Sequence, residues 1–239
     1  MTFKNDDQDY ISWKKWEEEK FIKCSDFEEK YFQAEIKKTK LNSIKHVIEI
    51  GFGNGNFLAY AKKQEWKTIG VEVNSDLVMR AKKFGVEAYI YEESFEIIKD
   101  QWADLVVAID VFEHIEQNKL EELFSQIHRI LKPSGAMLAR FPNADSPLGL
   151  VNQNGDFTHI TAIGSYKINY LAEKHGFSIK YIGEEAKPIF CSNIKFSIQR
   201  VIANPIIKIL NKLLCLIFFP GNRSINYLSI NLVVVLEKL

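Results

Sequence analysis

Three glycines stand at positions 51, 53 and 55 in VIEIGFGNGNFL (47–58), between a β-prone apolar run and a renewed apolar pattern at Phe57 and Leu58. Glycine tolerates positive φ and, lacking Cβ, lets backbone approach a ligand closely. The spacing therefore predicts strand, tight turn and helix, with a ligand lying against the turn. Two carboxylates belong to the same picture. Glu49 precedes Gly51 by two residues, and Glu72, in TIGVEVN, follows it by 21 (72 − 51). A carboxylate ending the second strand can accept both hydrogen bonds of a ribose diol, a charge-assisted contact. The chemistry indicated is the holding of a nucleoside-containing cofactor.

Those residues need a rigid frame. Apolar runs recur at 45–50, 67–73, 86–91, 104–109, 135–141, 178–182 and 230–236, with helical patterns between most of them. In NKLEELFSQIHRILKPSG, Leu120, Leu123, Phe124, Ile127, Ile130 and Leu131 recur at three and four, with Asn118 as the expected cap and Pro133 with Gly135 as the stop. A second helix, SYKINYLAEKHGF, closes on Gly176. Alternating strands and helices predict an α/β fold, a doubly wound, mainly parallel seven-stranded sheet of Rossmann-like type joined by right-handed crossovers. Residues 1–40, charged, helical in pattern over 10–40 and punctuated by Trp13, Trp16, Phe21, Tyr31 and Phe32, are expected to form an N-terminal helical cover. Residues 41–239 then form the main domain, with a helical insertion at about 190–220.

Composition narrows the partners. In 239 residues, Lys plus Arg (31) equals Asp plus Glu (31), so no large positive field exists to hold a polyanion, and nucleic acid is not expected. Cys24, Cys191 and Cys215 are widely spaced, without a C-x-x-C pair or a His at ligand spacing, so no metal is expected and the thiols read as idle in a reducing compartment. The acidic, aromatic N-terminus has no apolar core of a secretory signal, which predicts a cytoplasmic protein.

Two cofactor classes compete for the turn. A dinucleotide calls for G-x-G-x-x-G, whose third glycine permits close helix packing under the pyrophosphate. Here Asn56 holds that place and the third glycine comes one residue early. Tyr170 and Lys174 make a Tyr-x-x-x-Lys, but within an ordinary amphipathic helix.

VIEIGFGNGNFL, GVEVN, DLVVAIDVFEHI and LKPSGAMLARFPN, in that order, resemble the motifs of class I S-adenosylmethionine-dependent methyltransferases. The resemblance covers about 45–182, and the terminal NLVVVLEKL also fits. It implies S-adenosylmethionine as cofactor. Carried over residue by residue, it implies a cofactor turn of Glu49, Gly51, Phe52, Gly53 and Gly55, with Glu72 and Val73 at the ribose. Ser94 and Phe95 align with the pair that meets adenine, although many relatives have Asp where Ser94 stands. Asp110 and Val111 would face the methionine half, unless Asp110 is instead the N-cap of the following turn. A sulfonium ligand agrees with the composition of the turn: no phosphate is held, so no Lys or Arg is needed beside it.

Methyl transfer from sulfonium is an in-line displacement governed by positioning, and a hydroxyl acceptor also gains from a base. Of the five histidines, His46, His128 and His175 read as structural. His159, in the polar loop NGDFTHITAIG, is the first candidate for general base, and His114, in VFEHI, the second, with Glu113 read as architectural.

The chain has Asp-Val-Phe-Glu where nucleic acid amino-methyltransferases of similar architecture carry Asn/Asp-Pro-Pro-aromatic. An oxygen on a sugar of a bacterial surface glycan, or on its precursor, is the expected acceptor, by similarity to O-antigen and capsule methyltransferases. The alternatives are a small-molecule acceptor of quinone type, a cofactor-binding but inactive module of a membrane glycan assembly complex, and, last, a nicotinamide oxidoreductase.

Within residues 194–219 (IKFSIQRVIANPIIKILNKLLCLIFF), Arg200, Asn204, Lys208, Asn211 and Lys212 fall on one helical side, and Pro205 is expected to break or bend the helix. The stretch reads as too interrupted by charge to span a bilayer. It is expected to be either a core-packing or lid element, or an interfacial helix giving peripheral contact with the inner face of the cytoplasmic membrane.

Overall fold

The computed structural model of the chain describes residues 18–188, 194–221 and 226–239; Trp13, Trp16 and Cys191 lie outside them. Helix α1 spans Asp26–Thr39, after a short 3-10 turn at Glu18–Lys20. Then come β1 (His46–Ile50), α2 (Asn56–Lys63), β2 (Lys67–Glu72), α3 (Ser75–Lys83), β3 (Glu87–Ile90), α4 (Tyr91–Ile97) and β4 (Ala103–Ile109). A 3-10 turn, Phe112–His114, leads to α5 (Gln117–Ile130), β5 (Leu131–Pro142), α6 (Gly149–Gly155), α7 (Ser165–Lys174), β6 (Phe177–Glu184), α8 (Ile194–Phe218) and β7 (Asn231–Lys238).

The seven strands form one sheet in the order β3-β2-β1-β4-β5-β7-β6, parallel except for β7, which pairs antiparallel with both β5 and β6. Strand order reverses beside β1, so the crevice for a ligand opens at the carboxyl ends of β1 and β4.

Near-continuous apolar runs suit strands buried on both faces. Val47, Leu105, Val107, Leu138, Val233 and Val235 point to one face, where Phe32 of α1 and Phe57 and Tyr60 of α2 cover them. Ile48, Val106, Met137, Val234 and Leu236 point to the other, under Leu123, Phe124 and Ile127 of α5 and Ile168 of α7.

Some boundaries differ from expectation. Helix α5 is capped at Glu116, not Asn118, and stops at Ile130, because Leu131 already pairs with Ala103 in the sheet and Pro133 and Gly135 lie inside β5. Among the described residues the N-terminal cover contains one α-helix, begun by a Ser25–Glu28 capping box. Helix α8 runs through Pro205 without ending. It is not a core-packing element either, since none of its described residues is buried.

Candidate functional site

Strand β1 delivers Glu49 and then turns out of the sheet. Gly51, Gly53 and Gly55 adopt φ of +67°, +49° and +74°, the left-handed region that favours glycine. A Cβ on Gly51 would lie 2.5 Å from Val111 Cγ2, and one on Gly55 would lie 2.8 Å from Ile22 Cγ1. Glu72, at the end of β2, closes the turn by accepting from Gly53 N at 3.0 Å and from Val73 N at 2.8 Å. Ile22 N donates to Asn54 O at 2.9 Å, so the residues before α1 lie against the same turn.

The turn forms one wall of an open cavity of about 1590 Å³, ample for a nucleoside cofactor together with an acceptor. Glu49, Gly51, Phe52, Gly53, Glu72, Val73, Asp110 and Val111 all line it. Ser94 and Phe95 do not: Ser94 is wholly buried and donates to Tyr91 O at 2.8 Å, while Phe95 packs edge-on against Tyr91. Tyr91 and Glu92 line the cavity instead, because α4 starts immediately at the end of β3 and turns its first residues outward.

Glu49 is buried, and its Oε2 has no hydrogen-bond partner in the structure. Burial drives its carboxyl well above the usual range, against one backbone hydrogen bond from Leu58, and the neighbouring Glu72 adds to the rise. An orphaned acidic group beside a bare glycine turn fits a ligand that brings a positive charge.

Asp110 is not an N-cap: the 3-10 turn after it has no side-chain cap. Held at φ +56°, Asp110 receives two hydrogen bonds from Arg140, whose guanidinium also donates to Tyr31 Oη at 3.0 Å and lies 3.5 Å from Glu185. Burial works against the arginine's charge, but Asp110, Tyr31 and Glu185 together outweigh it and raise the Arg140 pKa. Burial likewise raises the Tyr31 hydroxyl. Arg140, Lys187 and Arg200 line the β5–β6 side of the cavity, whereas Glu49, Glu72 and Glu92 line the β1–β3 side.

The two candidate bases meet edge to face, ring centres 4.6 Å apart. His114 lines the cavity; His159 does not, although its neighbours Thr158 and Ile160 do. The His159 Nδ1 donates to Asn152 O at 3.0 Å, and its Nε2 lies 3.6 Å from Asp156 and 3.8 Å from Glu113. Thr158 gives its single hydroxyl proton to Asp156 Oδ1 at 2.5 Å. Its oxygen, 2.9 Å from His114 Nδ1, therefore accepts from that nitrogen, which leaves Nε2 as the basic atom of the His114 ring. The Glu113 carbonyl accepts from Ile160 N and Thr161 N, tying this loop to the 3-10 turn. Folding also brings one ligand atom each of Glu113, His114 and His159 within 4.8 Å of one another, a grouping that sequence spacing did not suggest.

The remaining motifs lie elsewhere. Tyr170 and Lys174 touch each other on the exposed side of α7. At His175 burial lowers the pKa, with Lys174 adding to the fall, and Nδ1 lies 3.0 Å from Ser125 Oγ. Cys24 and Cys215 are free thiols, the former pushed up to about 11 by burial.

A family model described as a methyltransferase domain matches residues 23–181. No curated protein matches the chain in sequence. Among solved structures, the chain is similar to a SAM-dependent methyltransferase from Archaeoglobus fulgidus, with TM-score 0.61 and 22% identity over 89% of this chain and 98% of that one. It is similar to an S-adenosylmethionine-dependent methyltransferase from Mesorhizobium loti, with TM-score 0.58 and 13% identity over 87% and 97%. It is also similar to one of the SAM-dependent methyltransferases from Methanosarcina mazei, with TM-score 0.56 and 14% identity over 85% and 97%. At these identities the likeness is one of fold.

Proposed function

This chain belongs to the methyltransferase-domain family, and on that premise we propose that it is an enzyme that moves the methyl group of S-adenosylmethionine to an oxygen of a bacterial surface glycan or its precursor. The observation that carries the cofactor assignment is the buried, partnerless Glu49 Oε2 beside the glycine turn. A ligand bearing an ammonium and a sulfonium turns that desolvated acid from a cost into an attraction, which a pyrophosphate cannot do. When bound, the cofactor supplies an electrophilic methyl carried on sulfur, with a neutral thioether as leaving group.

The chain's own residues do the rest. Glu49 and the Gly51 and Gly53 backbone would hold the amino acid end, and Glu72 would accept from the ribose diol, while Gly55 packs against Ile22 and does not line the cavity. Tyr91 and Glu92 wall the base. His114, with Nδ1–H fixed on Thr158, offers Nε2 to the acceptor hydroxyl and takes its proton. Arg140 keeps Asp110 paired and, with Glu185, Lys187 and Arg200, gives the acceptor half of the cavity a polar wall carrying both signs of charge.

The mixed charged groups of that side suit the hydroxyls of a glycan precursor. The exposed Phe157 and the cavity-lining Ile160, also exposed, favour a second reading, a small apolar acceptor of quinone type. Calorimetry with S-adenosylhomocysteine beside NAD tests the cofactor: binding of the first and not the second is expected, and the reverse result removes the assignment. Transfer of labelled methyl to cell-envelope extract, split into polysaccharide and lipid-soluble products, separates the two acceptors, and no transfer to either fraction removes both.

A further inference from the structure

We infer that α8 lies flat on an anionic bilayer surface and turns the mouth of the cavity toward the lipid. The helix is built inside out for water. Ile198, Ile202, Ile206, Ile209, Leu213 and Leu216 are all exposed on one side, Ile209 by 61% and Leu216 by 70%. Two polar residues, Arg200 and Asn211, instead face the body of the protein. Arg200 donates to Pro188 O at 2.5 Å and lies over the Phe27 ring, and Asn211 Oδ1 accepts from Leu228 N at 3.0 Å. This order is opposite to that of a surface helix of a protein dissolved in water.

Charge selects the occupant. Residues 194–218 contain no Asp or Glu, while Lys195, Arg200, Lys208 and Lys212 are basic. Lys208 and Lys212 are exposed at one margin of the apolar side, where ammonium groups can reach lipid phosphate while their stems lie along apolar surface. A second copy of the chain would bring the same two lysines and no carboxylate on this helix to meet them. By length and composition alone, Ser197–Phe218 could also cross a membrane. The contacts made by Arg200 and Asn211 hold one side of the helix on the protein, so the helix lies on the surface instead.

The topology places this helix at the cavity. Strand β6 ends and β7 begins at the same end of the sheet as the glycine turn, so both connections of α8 leave from that rim. Arg200 lines the cavity itself, and the exposed Leu150, Val151 and Phe157 belong to the β5–α7 connection on the same rim. Delivery of a lipid-carried acceptor from the bilayer rests on the methyl-transfer reading; the docking does not.

The test uses the full chain with vesicles of phosphatidylcholine alone or with added phosphatidylglycerol. The wild-type chain is expected to sediment with the anionic vesicles and to be released by salt. Ile202→Ser with Ile209→Ser is expected to lower the bound fraction about 10-fold or more, and Lys208→Glu with Lys212→Glu to lower it by a similar factor on anionic vesicles only. Both pairs are exposed and outside the cavity, so affinity for S-adenosylhomocysteine stays unchanged; intact folding with vesicle binding gone thus isolates the surface from the active site. Three results overturn the inference: a wild-type chain that stays in the supernatant with every vesicle, one that alkaline carbonate cannot extract, as for a spanning helix, or one whose apolar face instead drives self-association in sedimentation velocity that I202S/I209S abolishes. Failure of S-adenosylhomocysteine binding with vesicle binding retained sinks the proposed function and leaves the docking standing.

Discussion

Arg140 grips Asp110 through two nitrogens, Nε at 2.9 Å and Nη2, joining the ends of neighbouring strands β4 and β5 at the cavity wall. The same guanidinium reaches Tyr31 of α1, so one side chain ties the N-terminal cover to the sheet. An acid that could have faced the cofactor is thereby paired with a cation, whereas Glu49 Oε2 beside the turn has no hydrogen-bond partner.

Arg140→Met leaves the buried Tyr31 hydroxyl without its donor and Asp110 without its cation. A loss of about 2 kcal/mol is expected, of the size of one charged hydrogen bond, seen as a fall of about 6 °C in melting temperature. Arg140→Lys should recover only part of it, because an ammonium cannot form the fork. A melting temperature unchanged in the Met variant would show that the pair is only decorative.

Burial raises the Glu49 pKa above that of the unfolded chain, so the folded protein binds more protons between the two values. Its contribution to stability is complete below the ordinary carboxylate pKa and is lost as pH rises through the raised one. Glu49→Gln should therefore flatten the fall in stability over that window and stabilise the free protein at neutral pH. It should also weaken S-adenosylhomocysteine binding by roughly 10-fold or more, through loss of a charged contact. In the wild type, binding should release a proton and tighten as pH rises, measured by calorimetry in buffers of different ionisation heat; no buffer dependence counts against the ammonium contact.

Gly51 and Gly85 share a left-handed φ but not their surroundings. A Cβ on Gly85 meets nothing within 4 Å, while one on Gly51 runs into Val111. Gly85→Ala should cost about 1 kcal/mol, the backbone term alone. Gly51→Ala should cost more and reduce cofactor affinity as well. Equal melting temperatures and equal affinities in the two variants would remove the close-packing account of the turn.

His114→Asn is expected to lower kcat by roughly 10²-fold with cofactor affinity retained, as for loss of a general base. His159→Asn should mainly lower the melting temperature, since His159 anchors the loop to Asn152 O. Steady-state kinetics decide the assignment, and the opposite ranking of kcat values would return the role to His159.

The sheet and the glycine turn that lines the cavity were legible in the sequence alone. Both rest on short-range rules: alternation of apolar residues, glycines where φ must be positive, and a carboxylate at a strand end one crossover away. Glu49, Gly51 and Glu72 could be placed at the cavity because their location depends on position along a single β-α-β unit. The rest was set in three dimensions. That Asp110 is held by Arg140, 30 residues on, that His114 and not His159 reaches the cavity, and that Tyr91 replaces Ser94 on its wall depend on contacts between separate elements and on one helical turn of orientation. The same holds for α8. Its composition showed an amphipathic helix, but which side faces water is set by what the folded body offers to Arg200 and Asn211, and no local pattern encodes that.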